Sequence, residues 1–294
     1  MEHLKCPECS SKLWKIGFNK FGNQYYRCSS CKKKVLEREN TPFYWLHSPD
    51  AIVIMGIILY AKYPLSSIQV SEIFNLFGID VCDSTIRNWV QSCVPHLEKI
   101  KKKYKVKFSK IWHVDEKFVP HDRVPSKKYK RGLKKWAYQI TVYDSENNVV
   151  ASFLAPERNS KGIEEALRRA RKQSGERPEV VVTDGLQAYD KPVRKVLGKR
   201  KRKKHVIAHF EGKPIIHNKK LMILSNNRIE RYHSEISPKI RSMRGIKSLE
   251  KGDNFFQVSN FIHNFFVKDR IKDVLKDLNL NFSWSGLAEL FYKV

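Results

Sequence analysis

The spacing of apolar residues changes character twice along the chain. Early on it alternates. Leu13-Trp14-Lys15-Ile16-Gly17-Phe18 and Gln24-Tyr25-Tyr26-Arg27-Cys28 read as short strands, and Asn19 to Asn23 with Gly22 supplies the turn between them. After a linker at 41–48 the period becomes helical. Ser48 caps a helix that opens on Pro49 and runs to about Tyr63. A second helix begins near Ser66 or Ser67, carries Val70, Ile73, Phe74 and Phe77, and closes at Gly78. A third starts at Asp83-Ser84, places Ile86, Trp89, Val90 and Val94 at helical spacing, and ends before Pro95. A closing glycine, a turn through Ile79-Asp80-Val81 and a newly capped helix make a helix-turn-helix layout. Its exposed side would present Thr85, Arg87, Asn88 and Gln91 to phosphates or base edges.

From Lys110 strands and helices alternate. Strands are predicted at Ile111 to Val119, Trp136 to Tyr143 and Val149 to Ala155, the last two joined by the polar turn at 144–148. A helix at Lys161 to Ser174 turns Ile163, Ala166, Leu167 and Ala170 inward. Glu179 to Thr183 is a short apolar strand of the kind buried on both faces. Asp184-Gly185 ends it, and a helix follows from Leu186 to about Leu197. Three antiparallel strands, a helix, a parallel strand and a helix give an α/β domain of ribonuclease-H-like layout. Beyond it come six consecutive basic residues, Lys199 to Lys204, a strand-like His205 to Ala208, and a loop holding Gly212, Pro214 and Asn218. A long helix then starts at Ser225-Asn226 and should bend at Pro238, and another covers Leu249 to Val267. The amphipathic end, Leu287 to Tyr292, is expected to pack back on this domain. The resulting division is 1–40, 41–105, 106–270 and a helical tail at 271–294.

Charge narrows the partner. The chain of 294 residues carries 57 Lys+Arg against 30 Asp+Glu, a formal +27. A surplus of this size fits a polyanion, because each cation placed on a phosphate releases counterions. An anionic membrane surface is the competing partner, but no run of 18 apolar residues is present to span a bilayer. The chain passes directly into Cys-Pro-Glu-Cys with no secretory leader, so a cytoplasmic, nucleoid-associated protein is expected.

Cysteine spacing adds a metal. Cys6-x-x-Cys9 and Cys28-x-x-Cys31 fit the template of a four-thiolate Zn²⁺ site, and residues 1–40 read as a zinc ribbon. A core this small depends on its metal. Its exposed aromatics and Lys32-Lys33-Lys34 suit a nucleic-acid contact. Cys82 and Cys93 have no partner pair and read as small buried hydrophobes.

Three carboxylates carry the candidate chemistry. Asp115 lies on a strand where alternation sets His113, Asp115 and Lys117 on one face, with Val114, Glu116 and Phe118 on the other. Glu116 should then meet solvent or a basic neighbour. Asp184 stands at the carboxyl end of a strand, where open sheets place ligands. Glu230 shares a helical face with Asn226 and His233. Each has a plainer alternative: an ion pair for Asp115, a helix cap for Asp184, an exposed charge for Glu230. Two strand-end aspartates and a helical glutamate can also converge to hold two hard cations for phosphoryl transfer.

The residues that decide between these readings are Trp112-His113-Val114-Asp115-Glu116, Lys135-Trp136-Ala137-Tyr138, Thr183-Asp184-Gly185-Leu186-Gln187-Ala188-Tyr189 and Leu224-Ser225-Asn226-Asn227-Arg228-Ile229-Glu230-Arg231-Tyr232-His233. In order and type they resemble the DDE insertion-sequence transposases, nearest the IS6/IS240-like branch, over roughly residues 45–270. The resemblance implies a DNA transposase in which Asp115 bridges two Mg²⁺ ions, replaceable by Mn²⁺, and Asp184 and Glu230 complete the site. It implies double-stranded DNA partners, both terminal inverted repeats and target, and a homodimer that joins two ends in concert. Lys199, Arg200, Lys201, Arg202, Arg228 and Arg231 would clamp phosphates. Two features depart from the pattern: the interval from Asp184 to Glu230 is longer than usual, and a zinc ribbon stands in front. A DNA-binding descendant without catalysis and a nuclease acting on RNA–DNA hybrids remain the alternatives.

Overall fold

The computed structural model describes residues 5–20, 22–44, 46–121, 135–198, 204–208, 211–217 and 219–294. In chain order these form β1 (Leu13–Phe18), β2 (Gln24–Cys28), β3 (Lys34–Leu36), α1 (Asp50–Lys62), α2 (Ser67–Leu76) and α3 (Asp83–Lys103). There follow β4 (Ile111–His121), β5 (Lys135–Asp144), β6 (Val149–Ala155), α4 (Ser160–Ser174), β7 (Val180–Thr183), α5 (Asp190–Leu197), β8 (Lys204–Ile207), β9 (Lys213–His217) and β10 (Lys220–Leu224). The chain ends with α6 (Asn227–Ser242), α7 (Leu249–Ile262), α8 (Arg270–Asp277) and α9 (Trp284–Lys293). Two compact units result, one of Met1–Met55 with Leu275–Val294, the other of Gly56–Val274.

In the first unit, β1, β2 and β3 make a three-stranded antiparallel sheet that brings Cys6, Cys9, Cys28 and Cys31 together. The unit's apolar anchor is Phe43, fully buried, with its ring stacked on Tyr292 and edge-on to Phe291. The Tyr292 hydroxyl donates to Asp50, which also pairs with Arg38 at 2.6 Å. The expectation that the amphipathic end packs on the α/β domain is therefore corrected: its aromatic residues pack on Phe43.

The second unit is built on a five-stranded mixed sheet of order β6-β5-β4-β7-β8. β4, β5 and β6 are antiparallel neighbours, and β7 runs parallel to both β4 and β8. One face is covered by α4 and α5, through a core of Trp112, Val114, Ile140, Val142, Ile163, Leu167, Val181 and Val193. On the other face Ile229 and Tyr232 of α6 pack on Tyr143 and Val149, and the β9–β10 hairpin covers Ile111, Val180, Val182 and Val206. This mixed α/β arrangement is consistent with a ribonuclease-H-like DDE domain.

Three local readings are corrected. α3 does not stop at Pro95 but continues to Lys103. A proline inside a helix costs about 3 kcal/mol, and here Cys93, Leu97 and Ile100 at helical spacing stay buried past it. The segment read as a loop around Gly212 and Pro214 is the β9–β10 hairpin. Pro214 sits in a strand because in a two-stranded ribbon every strand is an edge. Cys93 is buried as expected, but Cys82 is exposed, with its sulfur 3.1 Å from the Ser84 hydroxyl and 3.0 Å from that of Thr85.

α6 is fixed at its far end by a buried cation. The Lys239 ammonium donates to the Leu65 carbonyl and lies 3.7 Å from the Tyr60 ring centroid. Burial disfavours its charged form and pushes its pKa down to about 7 from 10.5. Below about pH 7 folded and unfolded chains are both protonated there, and the desolvation cost is felt in full. Between about pH 7 and 10.5 the unfolded chain binds the extra proton, so this group makes stability rise with pH. Urea titrations at pH 7, 8 and 9 should show the parent gaining on Lys239→Met as pH rises. A constant difference between the two proteins across that range would contradict the assignment.

Candidate active site

The sheet register sets the first two carboxylates at one level. β4 and β7 are parallel, and His113 is the partner of Val182. Asp115 lies two residues beyond His113 and Asp184 two beyond Val182, so both leave the sheet at the same height on adjacent strands. Neighbouring strands lie about 4.8 Å apart. Asp115 is still within β4, opposite Thr141 of β5, and its side chain is 18% exposed. Asp184 has just passed the end of β7. Its Oδ1 accepts the Leu186 N–H at 3.1 Å, and Gly185 takes the positive φ of 94° that turns the chain.

On the opposite side of β4 Glu116 is buried, 7% exposed. It accepts hydrogen bonds from the Arg158 guanidinium and the Tyr189 hydroxyl. The basic-neighbour half of the sequence expectation holds, and the solvent half does not. Arg158 also reaches Asp184, with Nη2 3.7 Å from Oδ2. Tyr189 stands in the short 3₁₀ turn after Asp184 and is fully buried; burial and the Glu116 charge hold its hydroxyl well above its ordinary pKa. Glu116 thus ties the loop bearing Asp184 to the strand bearing Asp115. Sequence reasoning missed Arg158 and Tyr189 as parts of the site. The available signal was the placement of Glu116 on the same buried face as Val114.

α6 supplies the third carboxylate. Its N-terminal end sits by the 144–148 turn, where Arg228 Nη1 donates to the Ser145 carbonyl at 3.0 Å and to Asn147 Oδ1 at 3.2 Å. About one and a half turns further on, buried His233 places Nδ1 3.3 Å from Asp115 Oδ2 and Nε2 3.4 Å from Thr141 Oγ1. Glu230 is one turn before His233 and exposed, on the helix that lies over the Asp115 side of the sheet. The three carboxylates are not drawn into one closed cage. Among the described residues, the four cysteines are the group of three or more donor atoms found within 4.8 Å of one another. Asp115 and Asp184 offer oxygen donors at one level of the sheet, of the kind that suits a hard divalent cation with retained waters.

The cysteines form a second candidate metal centre. Their four sulfurs lie within 4.8 Å of one another, and none is in a disulfide. Zn–S bonds of about 2.3 Å in a tetrahedron set sulfurs about 3.8 Å apart, so four thiolates here fit Zn²⁺. Hydrogen bonds from Ser11 push the Cys9 thiol down to about 6, while hydrogen bonding with Cys28 and Cys6 pushes that of Cys31 up to about 12.

Of the residues expected to touch DNA, Asn88 is exposed, while Arg87 bonds to Asp83 and, at 2.8 Å, to Ser67. Gln91 is committed within the fold: its Nε2 donates to the Lys251 carbonyl and its Oε1 accepts from Asn254. Thr85 is half-buried against Cys82, and Arg231 is exposed. Arg87 and Asn88 line a cavity of 710 Å³ together with Arg244 and Lys247. Lys199, Arg200, Lys201 and Arg202 lie outside the described residues.

Residues 109–269, more than half of the chain, match the DDE domain of the IS240-type transposases, and the chain belongs to that family. It is a DDE-type DNA transposase of an insertion sequence. It is similar to the transposase for insertion sequence-like element IS431mec of Staphylococcus aureus strain Mu50, 30% identical over 220 residues that cover 74% of this chain and 86% of that one. The transposase for insertion sequence element IS257 in transposon Tn4003 of Staphylococcus aureus matches to the same extent, 30% over 220 residues, 74% and 86%. No helix among the described residues is long and apolar enough to cross a membrane.

Proposed function

We propose that Asp115, Asp184 and Glu230 together hold two Mg²⁺ ions, or Mn²⁺ in their place, and that the site cuts the 3′ ends of its element and joins them to target DNA. When bound, such a pair activates the attacking oxygen and stabilises the leaving one. The observation that carries the reading is the equal height of Asp115 and Asp184 on adjacent parallel strands, with the Glu230 helix lying over the same side. Water first displaces the 3′-oxygen at the element end; the freed 3′-hydroxyl then displaces a 3′-oxygen of the target strand, in line and without a covalent protein intermediate. His233 holds Asp115 in orientation, and Arg158 supplies counter-charge to Asp184. Little else is asked of side chains than positioning and charge.

The flanking parts serve DNA. α2, the turn after it and α3 act as a helix-turn-helix, with Asn88 and the basic wall of the adjoining cavity facing the element end. The cysteine-bearing sheet acts as a zinc ribbon. Two copies act together, because two ends must be joined in concert.

The test is joining of a labelled terminal-repeat duplex to plasmid in Mg²⁺ or Mn²⁺. Joined products are the expected outcome. Cleavage without joining points to a hydrolytic nuclease, and end binding with neither reaction points to an idle DNA-binding descendant.

A further inference from the structure

The β9–β10 ribbon has two apolar faces, and among the described residues only one is covered. On the inner face Ile215 and Met222 pack against Ile111, Val180, Val182 and Val206. On the outer face the register sets Pro214 opposite Ile223 and Ile216 opposite Leu221, so these four side chains stand together. Ile216 is 67% exposed, Leu221 73% and Ile223 72%, and Pro214 is exposed beside them. Covering the sheet accounts for the inner residues alone.

The surroundings choose the occupant. Lys204, Lys213, Lys219 and Lys220 are all exposed on or beside the ribbon, and from 204 to 224 the sole acidic residue is Glu211. A second copy of the chain would set like charges against like around a small apolar patch. A polyanion would meet complementary charge. We propose that this outer face docks on target duplex DNA, the lysines on phosphates and the Ile216, Leu221 and Ile223 side chains wedged against a partly unstacked base step. Isoleucine, leucine and proline are the side chains that wedge base steps and kink a duplex. Among its described residues the face carries no arginine, asparagine or glutamine to read base edges, so it discriminates by deformability rather than by sequence. That suits a target, which varies from one insertion to the next, and not an element end, which must be recognised.

The inference rests on the joining reaction proposed above for its purpose, but its test does not need joining. The full chain is titrated by fluorescence anisotropy into a labelled duplex of arbitrary sequence, either straight or pre-kinked by a two-nucleotide bulge. A ready-made kink removes part of the unstacking cost, so the parent should prefer the bulged duplex by roughly tenfold. The triple variant Ile216→Thr, Leu221→Thr, Ile223→Thr keeps residues that suit an exposed strand and should lose that preference. Its affinity for the terminal-repeat duplex should stay within about twofold of the parent, since α3 and not the ribbon reads the end. Lys213→Gln with Lys220→Gln should instead flatten the dependence of target binding on salt. If the triple variant does not fold, Leu221→Thr alone is read in the same way. A parent with no preference for the bulge, or a folded variant that keeps it, overturns the proposal. So does a parent dimer that the threonines convert to monomer with the preference unchanged, since the face would then belong to a second copy. Loss of the preference in a protein that fails to join strands would leave the ribbon assignment standing and remove only the joining reading.

Discussion

Asp115→Asn is expected to abolish strand joining while binding of the terminal-repeat duplex stays within a few-fold of the parent. The amide keeps the size of the side chain and its place opposite Thr141, and it can still meet His233, which lies 3.3 Å from the carboxylate. What it removes is the negative charge and one hard oxygen donor. The loss should exceed roughly 10³-fold, beyond the 10²–10³ that follows removal of a single stabilising hydrogen-bond donor. Asp184→Asn and Glu230→Gln should fall as far, since each removes an anionic oxygen donor from the same proposed donor set. Glu235→Gln, on the exposed side of the same helix and outside that set, should stay within about twofold, as surface substitutions usually do. A second readout separates metal from fold: Mn²⁺ bound per chain, followed by electron paramagnetic resonance, should drop in the three site variants and not in Glu235→Gln. A folded Asp115→Asn protein that joins strands at the parental rate would remove Asp115 from the chemistry.

The readable parts of this fold are those where local pattern and burial agree. Val180, Val181 and Val182 are apolar and, with Thr183, buried, so this strand and the aspartate after it were plain. The helix from Ser160 showed its inward stripe, and Gly162, Ile163, Ala166, Leu167 and Ala170 are the residues it buries. What stayed hidden depends on contacts between distant segments. Pro95 reads as a stop because the gain from burying Leu97 and Ile100 beyond it is invisible to a local rule. Pro214 reads as loop because nothing nearby says that its strand has a single partner. Glu116 was placed on the right face, but its ties to Arg158 and Tyr189 span 42 and 73 residues of sequence, and no spacing rule reaches that far. The side of α3 expected to face DNA shows the same limit in reverse. Gln91 falls on the exposed stripe of an isolated helix, yet α7, some 160 residues away, takes up both ends of its amide.

Removing a metal from the cysteine centre should unfold the three-stranded sheet and leave the second unit standing. The three strands there are 6, 5 and 3 residues long, and Leu13 to Phe18 contributes no fully buried side chain. Cys6, Tyr26, Cys28 and Val35 are most of what that sheet buries, and two of these four are cysteines. A sheet this small lacks the apolar area to offset its own chain entropy. Four thiolates closing on one ion contribute about 10–16 kcal/mol of apparent binding energy at neutral pH, which in such domains is folding energy. Purified protein should therefore carry about one Zn²⁺ per chain by elemental analysis. Cys28→Ser should carry almost none, because it replaces a ligand that is 1% exposed and cannot be substituted by water without opening the sheet. In hydrogen exchange, the amides of β2 and β3 should lose protection in Cys28→Ser or after chelation. Those of β4, β5 and β7 should keep it, because their core of Trp112, Val114, Ile140 and Val181 draws nothing from the metal. A zinc-free Cys28→Ser protein with β2 and β3 protected as in the parent would show that the sheet stands without its ion, and the four cysteines would then need another explanation.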